Sequence, residues 1–466
     1  MPDPLFTPIA KQYLAANDSE SMKEFVESLH PATVAESLSE EFPVEDVWRF
    51  LHATDQVHQA DVFAYFPLEW QLRMVDGTGR QQMASLIEEM SSDDRAELVR
   101  GLPGPVREQL LRLVDEADRK DIARLIQYPE NAAGGLMTTD YAWLPADINV
   151  ETALERLRLQ APNTETIYYV YVVDEGRKLK GVVSLRDLIL SPRTMPLREI
   201  METQVFSVRD TDDKERVAQE FGEYDLLAMP VIDAEGRLVG IITSDDVLDV
   251  VVEEATEDAH RMGAVGPLED NYLETSFVKV WWNRAFWLSM LFVAEMFTFN
   301  AMAHYDEAMK VMTVLALFVP LCISTGGNSG SQAATLITRA MALGQVKLSD
   351  WWKALRHELL MGMALGVTLG LIAGVRTYYM TSASLLENPG GAPATDLWGL
   401  TIVISCAVTA ICLYGTLIGS MLPLVFKRLG ADPGVASSPF VATFVDVTGI
   451  LIYFNIAKLV FGAALG

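Results

Sequence analysis

Residues Ser438–Ala457 read SPFVATFVDVTGILIYFNIA. The run is long enough for the hydrocarbon core of a bilayer, which takes roughly 20 residues. Its single charge, Asp446, falls near the middle. A carboxylate at that depth is expensive and must face a partner or water. Its neighbours Ala442, Thr443, Thr448 and Gly449 are small or polar, so backbones approach closely and carbonyls and hydroxyls stay available. The only base nearby, Lys458, lies about three turns further along. An unpaired carboxylate in a polar lane suits a cation path. The alternative is a protonated Asp446 bonded to a neighbouring helix.

Working outward, four more apolar runs appear. Ala285–Ala303 is interrupted by Glu295, and Val311–Thr338 by the polar GGNSGSQ at Gly326–Gln332; Leu359–Val375 and Leu397–Phe426 are uncharged. The pattern predicts five transmembrane helices, at about 279–304, 309–343, 354–380, 396–427 and 437–464. Gly326–Gly330 reads as a helix break at membrane depth, which is tolerated where backbone is buried or lines water. The alternative is a glycine packing kink. Asn328 and Thr335 are the side chains placed towards the path. Glu295 faces either the bundle interior, paired with Arg339 or polar backbone, or an aqueous mouth. Lys279, Arg284, Arg339, Lys347, Lys353, Arg356, Lys427 and Arg428 collect on one side. Positive residues mark the cytoplasmic face, so the N-terminus is expected in the cytoplasm and the C-terminus outside. The opening MPDPLFTPIAKQYLAANDSE has no apolar core and does not read as a signal peptide.

The rest of the chain is different in kind. Residues 271–466 carry 10 acids and 11 bases, so the first 270 carry 63 − 10 = 53 acids and 36 − 11 = 25 bases. A soluble part of −28 precedes an apolar part of +1. That balance excludes a basic nucleic-acid surface as the main theme. The three cysteines, Cys322, Cys406 and Cys412, all lie in the apolar part. They read as small buried hydrophobes, not as a disulfide framework. Residues 1–130 show short apolar stripes at helical spacing, punctuated by Pro and Gly, and predict a helical superhelix. From 131 to 250 strands and helices alternate and repeat. Tyr171–Asp174 (YVVD) matches Pro230–Asp233 (PVID), and Gly181–Leu188 (GVVSLRDL) matches Gly240–Val247 (GIITSDDV), both 59 residues on. Leu136–Thr138 (LMT) and Ile200–Glu202 (IME) open the two copies, about 137–192 and 196–250. A connecting helix follows over 251–275. Asp246, Asp249 and Glu253 recur at helical spacing beside Asp245, Glu254, Glu257 and Asp258. Like charges so placed repel. The bland reading is a solvated face; the regulatory one is a surface that closes when divalent cations screen it.

The duplicated pattern resembles a tandem pair of CBS domains, regulatory modules that often bind adenine nucleotides. With NAAGGLMT before it and EEATEDAHRMGAV after it, and with TGGNSGSQAATLITRA (325–340) and SPFVATFVDVTGILIYFNIA (438–457), the chain resembles the MgtE family of magnesium channels from about residue 20 to its end. The fold class implied is a multidomain membrane protein with an all-α superhelical N-domain, α/β tandem CBS domains and a five-transmembrane-helix α domain.

The resemblance also implies roles. Asp446 and the Ala442 carbonyl match the central ion site of a homodimeric pore in the lipid bilayer, lined by the segment of Asn328 and Thr335; Ser438 stands where some relatives have Asn. Asp432 matches a cytoplasmic pore-mouth ion site. Asp225, Asp246, Asp249, Glu254, Glu257 and Asp258 match carboxylates of a cytoplasmic Mg²⁺ sensor, with Asp93 and Asp94 as the facing acids. Tyr168, Arg186, Asp187, Thr243 and Asp246 fit base, ribose and phosphate positions for ATP, although Leu226 stands where some relatives have an aromatic. The function implied is a Mg²⁺-selective uptake channel closed by cytoplasmic Mg²⁺. An ion-coupled transporter of divalent cations with CBS energy sensing is the alternative. The sequence shows no nucleophile–base pair, Walker motif or Cys/His metal set, so an enzyme is not expected.

Overall fold

The computed structural model describes residues 6–39, 41–268, 272, 275–387 and 397–462. Residues 1–5 of the helical part, 269–271, 273 and 274 of the connecting segment, and 396, 463 and 464 of the apolar helices lie outside the described residues. The chain forms two compact units, Met1–Val251 and Val252–Gly466.

Within the first unit, ten short described helices run from Phe6–Ala16 to Glu116–Leu125. They share one core, in which Phe50, Phe63, Leu38, Met74 and Ile87 are fully buried. Six strands follow: β1 (Tyr141–Pro145), β2 (Thr166–Val173), β3 (Leu179–Ser184), β4 (Val208–Arg209), β5 (Ala228–Ile232) and β6 (Leu238–Thr243). They build two three-stranded sheets, each with one parallel and one antiparallel pair. The duplication is visible in the register: Val172 faces Gly181 in one sheet and Val231 faces Gly240 in the other. The opening segments, however, are exchanged. Thr138, from LMT, bridges Ile241 of the second sheet, and Glu202, from IME, bridges Val182 of the first. Each segment needs a glycine opposite it. A Cβ on Gly240 would stand 2.8 Å from the Thr138 oxygen, and one on Gly181 would stand 2.7 Å from that of Glu202.

In the second unit, five helices are long and apolar enough to cross a membrane. They are Phe277–His304, Thr313–Ala342, Trp351–Glu387, Leu397–Arg428 and Ser438–Phe461, called here the first to fifth apolar helices. Their fourth member is the most enclosed, with Val403, Ile404, Ala407, Ile411 and Cys412 inside. Cys322 is buried with it, but Cys406 is exposed, contrary to expectation.

The helix break expected at Gly326–Gly330 is overturned: the second apolar helix is continuous through it. The glycines serve packing instead. Gly326 and Gly330 face Gly415 and Gly419 of the fourth helix, four apart on each side, which brings two backbones together. A Cβ on Gly330 would lie 2.9 Å from the Gly415 oxygen. Ser329 completes the seam by donating to the Cys412 oxygen at 3.2 Å. Gly362, Gly366, Gly370 and Gly374 repeat the device between the third and fourth helices, where Thr409 Oγ1 donates to the Gly366 oxygen at 3.0 Å.

Candidate functional site

Two constellations stand out, one in each unit. In the membrane unit the second and fifth apolar helices meet at Gly327. A Cβ there would lie 3.3 Å from that of Ala442 and 3.4 Å from Asp446 Oδ1. No base pairs with Asp446 among the described residues. Thr443 and Thr448 donate back to the oxygens of Pro439 and Phe444, each at 2.9 Å, so their lone pairs remain to accept. Ser324, Asn328, Gln332 and Thr335 recur at intervals of four, four and three residues and are exposed. They form one exposed polar stripe along the helix, with Asn328 Nδ2 donating to Ser324 Oγ at 3.3 Å. Among the described residues Glu295 forms no ion pair with Arg339. Tyr305 and Asn455, hydrogen-bonded at 3.3 Å, set the register. Glu295 lies ten residues before one and Asp446 nine before the other, so at 1.5 Å per residue the two acids share a level.

The linking helix Ser244–Met262 enters the membrane unit at Val252. There Glu257 pairs with Arg261, and Arg261 with Asp432. Burial pushes the Asp258 carboxyl up, partly offset by Arg261 and Arg339. Three residues read as ion ligands therefore face arginines. Glu254 lies half-buried on the same helix.

The constellation in the first unit is a cleft of about 750 Å³. Eleven of its lining residues are Asp or Glu, and one, Arg95, is a base. Asp93 and Asp94 come from the first turn of helix Ser92–Gly101, Asp245 and Asp246 from that of the linking helix, and Asp249 from its next turn. Sequence reading missed Asp61, Asp140 and Glu165, which also line it. They carry no spacing signal of their own; only folding brings residues 61, 140, 165 and 246 together. Burial pushes Asp93 up to about 7 and Asp94 to about 6, with neighbouring carboxylates adding to it. Glu165 rises to about 7 and Asp246 to about 8, each by burial first and then by the Asp93 charge. Asp93 Oδ1 is fully buried with no hydrogen-bond partner among the described residues. An orphaned carboxylate oxygen among crowded acids is a donor set suited to a hard divalent cation.

Arg95 anchors one wall. It is 7% exposed and reaches Asp118 at 3.0 Å, Asp140 at 3.7 Å and Asp121 at 4.0 Å. Beside it Ser92 Oγ meets Thr138 Oγ1 at 2.9 Å, and the Ser92 N–H donates to Asp140 at 3.1 Å.

The nucleotide set is divided. Asp246, which accepts from Thr243 Oγ1 at 2.6 Å, lines the acidic cleft, where the carboxylates repel a polyphosphate. The duplicated pair, Ser184 and Asp187, has the same 2.6 Å bond beside exposed Arg186 and Tyr168. Arg186 thus stands where the second copy has Asp245. Asp225 lies outside the cleft lining, exposed at a helix end with φ +49°.

Residues 29–131 match the model of the MgtE intracellular N domain, 133–192 and 197–253 that of the CBS domain, and 319–456 that of the divalent cation transporter MgtE. The Thermus thermophilus magnesium transporter MgtE is 37% identical over 97% of this chain and 98% of its own. The chain belongs to the MgtE family of magnesium transporters. Magnesium transporters MgtE of Bacillus subtilis (29% identical, 93% of both chains) and Enterococcus faecalis (35%, 73% of this chain and 71% of that one) are also similar. Among solved structures, a cytosolic domain of the Mg²⁺ channel MgtE in complex with ATP is 37% identical. It covers 52% of this chain and 99% of its own, with a TM-score of 0.50. The soluble part of a magnesium transporter covers 54% and 98%, at 30% identity and a TM-score of 0.51. As a member of the MgtE family this chain is a multi-pass membrane protein with a helical N-domain and a CBS pair. Its curated MgtE relatives are named as transporters, a class without catalysis.

Proposed function

We propose that the chain is a homodimeric, Mg²⁺-selective uptake channel of the cell membrane, with its N-terminus in the cytoplasm and its C-terminus outside. The observation that carries this reading is the polar stripe of Ser324, Asn328, Gln332 and Thr335, set beside Asp446 by the contact at Gly327. Such a face is costly against lipid. A second copy placed against it encloses a polar path in which two Asp446 carboxylates offset one divalent ion. Mg²⁺ sheds water reluctantly and takes few direct protein ligands, so Asp446 and the Ala442 carbonyl suit a hydrated ion, with Asn328 and Thr335 along its route.

Gating is assigned to the acidic cleft. Ions bound at Asp93, Asp94, Asp246 and Asp249 neutralise the crowding that otherwise pushes its walls apart, and the linking helix, whose first turn lines the cleft, carries the change into the membrane unit. Asp225 and Glu254, which do not line the cleft, are assigned to the same Mg²⁺ sensing as further carboxylates. The first CBS copy, through Tyr168, Arg186 and Asp187, is the place for ATP; the similar cytosolic domain in complex with ATP supports that assignment.

Purified protein in a planar bilayer tests the reading. Discrete currents whose reversal potential follows the Mg²⁺ gradient alone, and which close when Mg²⁺ is added on the cytoplasmic side, are expected. Uptake without unitary currents, dependent on a Na⁺ or H⁺ gradient, would establish a coupled transporter instead.

A further inference from the structure

Arg261 lies one residue before the end of the linking helix. Its guanidinium serves two carboxylates at once: Glu257, one turn earlier, and Asp432, in the loop between the fourth and fifth apolar helices. All three side chains are about two-thirds shielded, at 31%, 27% and 33% exposure. Asp432 is held from its other side as well. Its Oδ1 accepts the Gly434 N–H at 2.6 Å, capping the short turn Pro433–Val435 that leads into the fifth helix. Gly434 permits the approach, since a Cβ there would lie 3.0 Å from that of Arg261. Asp258 feels both Arg261 and Arg339 of the second helix. Charge therefore clips the last turn of the linking helix to the segment that positions the Asp446 helix.

Without the guanidinium, Glu257 and Asp432 would confront each other as two like charges, the arrangement that a divalent cation bridges. Arg is never neutral and presents a planar fork of donors to carboxylates. We propose that Arg261 is a tethered cation occupying the place of a metal ion at this joint. The linking helix and the pore-leading loop then stay coupled whatever the Mg²⁺ concentration, and the response to Mg²⁺ resides in the acidic cleft. Arg261 is a positioning residue that acts through Asp432. The inference rests on the gated-channel reading above.

The test is bilayer recording of the full chain with Mg²⁺ titrated on the cytoplasmic side, for the wild type, Arg261→Gln, Arg261→Lys, Asp432→Asn and the double variant Arg261→Gln/Asp432→Asn. Arg261→Gln should raise the half-closing Mg²⁺ concentration at least about fivefold. It should still close at saturating Mg²⁺, because an ion then fills the gap. Arg261→Lys should stay near wild type. The double variant should shift less than the sum of its singles, since the like-charge pair is gone. Closure of Arg261→Gln at the wild-type concentration, or shifts that simply add, overturns the proposal. A wild type that ignores Mg²⁺ overturns the gating reading instead. Thermal unfolding of the same proteins in detergent then decides the clip: non-additive losses in Tm uphold it and additive ones refute it.

Discussion

Gly327 and Asp446 face each other across the contact of the second and fifth apolar helices, with 3.4 Å between a Cβ placed on the glycine and Oδ1 of the carboxylate. The glycine thus holds open the space beside the only acid of the fifth helix. Asp446→Asn keeps the volume and removes the charge, so Mg²⁺ uptake should fall to background while the protein still assembles. Isotope or fluorescent-dye uptake into proteoliposomes measures this; normal uptake by a well-folded variant excludes Asp446 from the path.

Gly327→Leu should block conduction with the folded yield largely retained, because the added side chain fills the space beside Asp446. Gly370→Leu should act differently. Gly370 packs on Ser405, whose oxygen would stand 2.6 Å from a Cβ there, so this change should lower the yield of assembled protein. Size-exclusion recovery compared with uptake separates the two; the same pattern for both variants would make Gly327 a packing residue only.

The cleft acids make the first unit sensitive to pH in a definite direction. Asp93, Asp94, Glu165 and Asp246 titrate at about 7, 6, 7 and 8 when folded, against 3.8 or 4.5 in the ordinary case. The folded state therefore binds more protons than the unfolded one between about pH 4 and pH 8, and stability falls as pH rises through that window. In chelator, the Tm of the first unit should be higher at pH 6 than at pH 8.5. Saturating Mg²⁺ should flatten the slope, and its binding should release protons. A Tm that rises with pH in chelator would contradict the crowded-carboxylate picture.

Asp93→Asn combined with Asp246→Asn removes two of the mutually repelling charges. The Mg²⁺-free unit should gain stability, and its protection from protease on adding Mg²⁺ should shrink markedly. A wild-type Mg²⁺ response in limited proteolysis would place the sensing ions elsewhere.

Arg95 is the one base of the cleft and pairs with Asp118 and Asp140, while Asp121 is held mainly by Arg124 and Thr139. Arg95→Met should cost about 3–5 kcal/mol, the usual penalty for stranding buried charges. Millimolar Mg²⁺ should recover part of the loss. Denaturant unfolding monitored by Trp fluorescence checks both; a cost under about 1 kcal/mol would show that those acids are solvated.

Much of this molecule is written locally. Five apolar runs, a 59-residue repeat and an isolated Asp446 are legible because hydrophobic periodicity and the cost of a charge in lipid are properties of one segment. Segments distant in sequence decided the rest. GGNSG has the composition of a break, yet Gly415 and Gly419, some 90 residues on, turn it into a helical packing seam. LMT and IME sit beside their own repeats in the chain but pair with the opposite sheet, where Gly240 and Gly181 leave room for them. Asp61, Asp140 and Glu165 are ordinary surface acids until folding sets them around Asp93 and Asp246. Arg261 gives no sign in the sequence that it will meet Asp432. The apolar runs long enough to cross a bilayer, the duplication and the isolated charges are legible from the chain, because apolar length and periodicity act over a few turns. Which charges confront one another was decided by the tertiary structure alone, because Coulomb interactions depend on distance in space, and only packing fixes that distance.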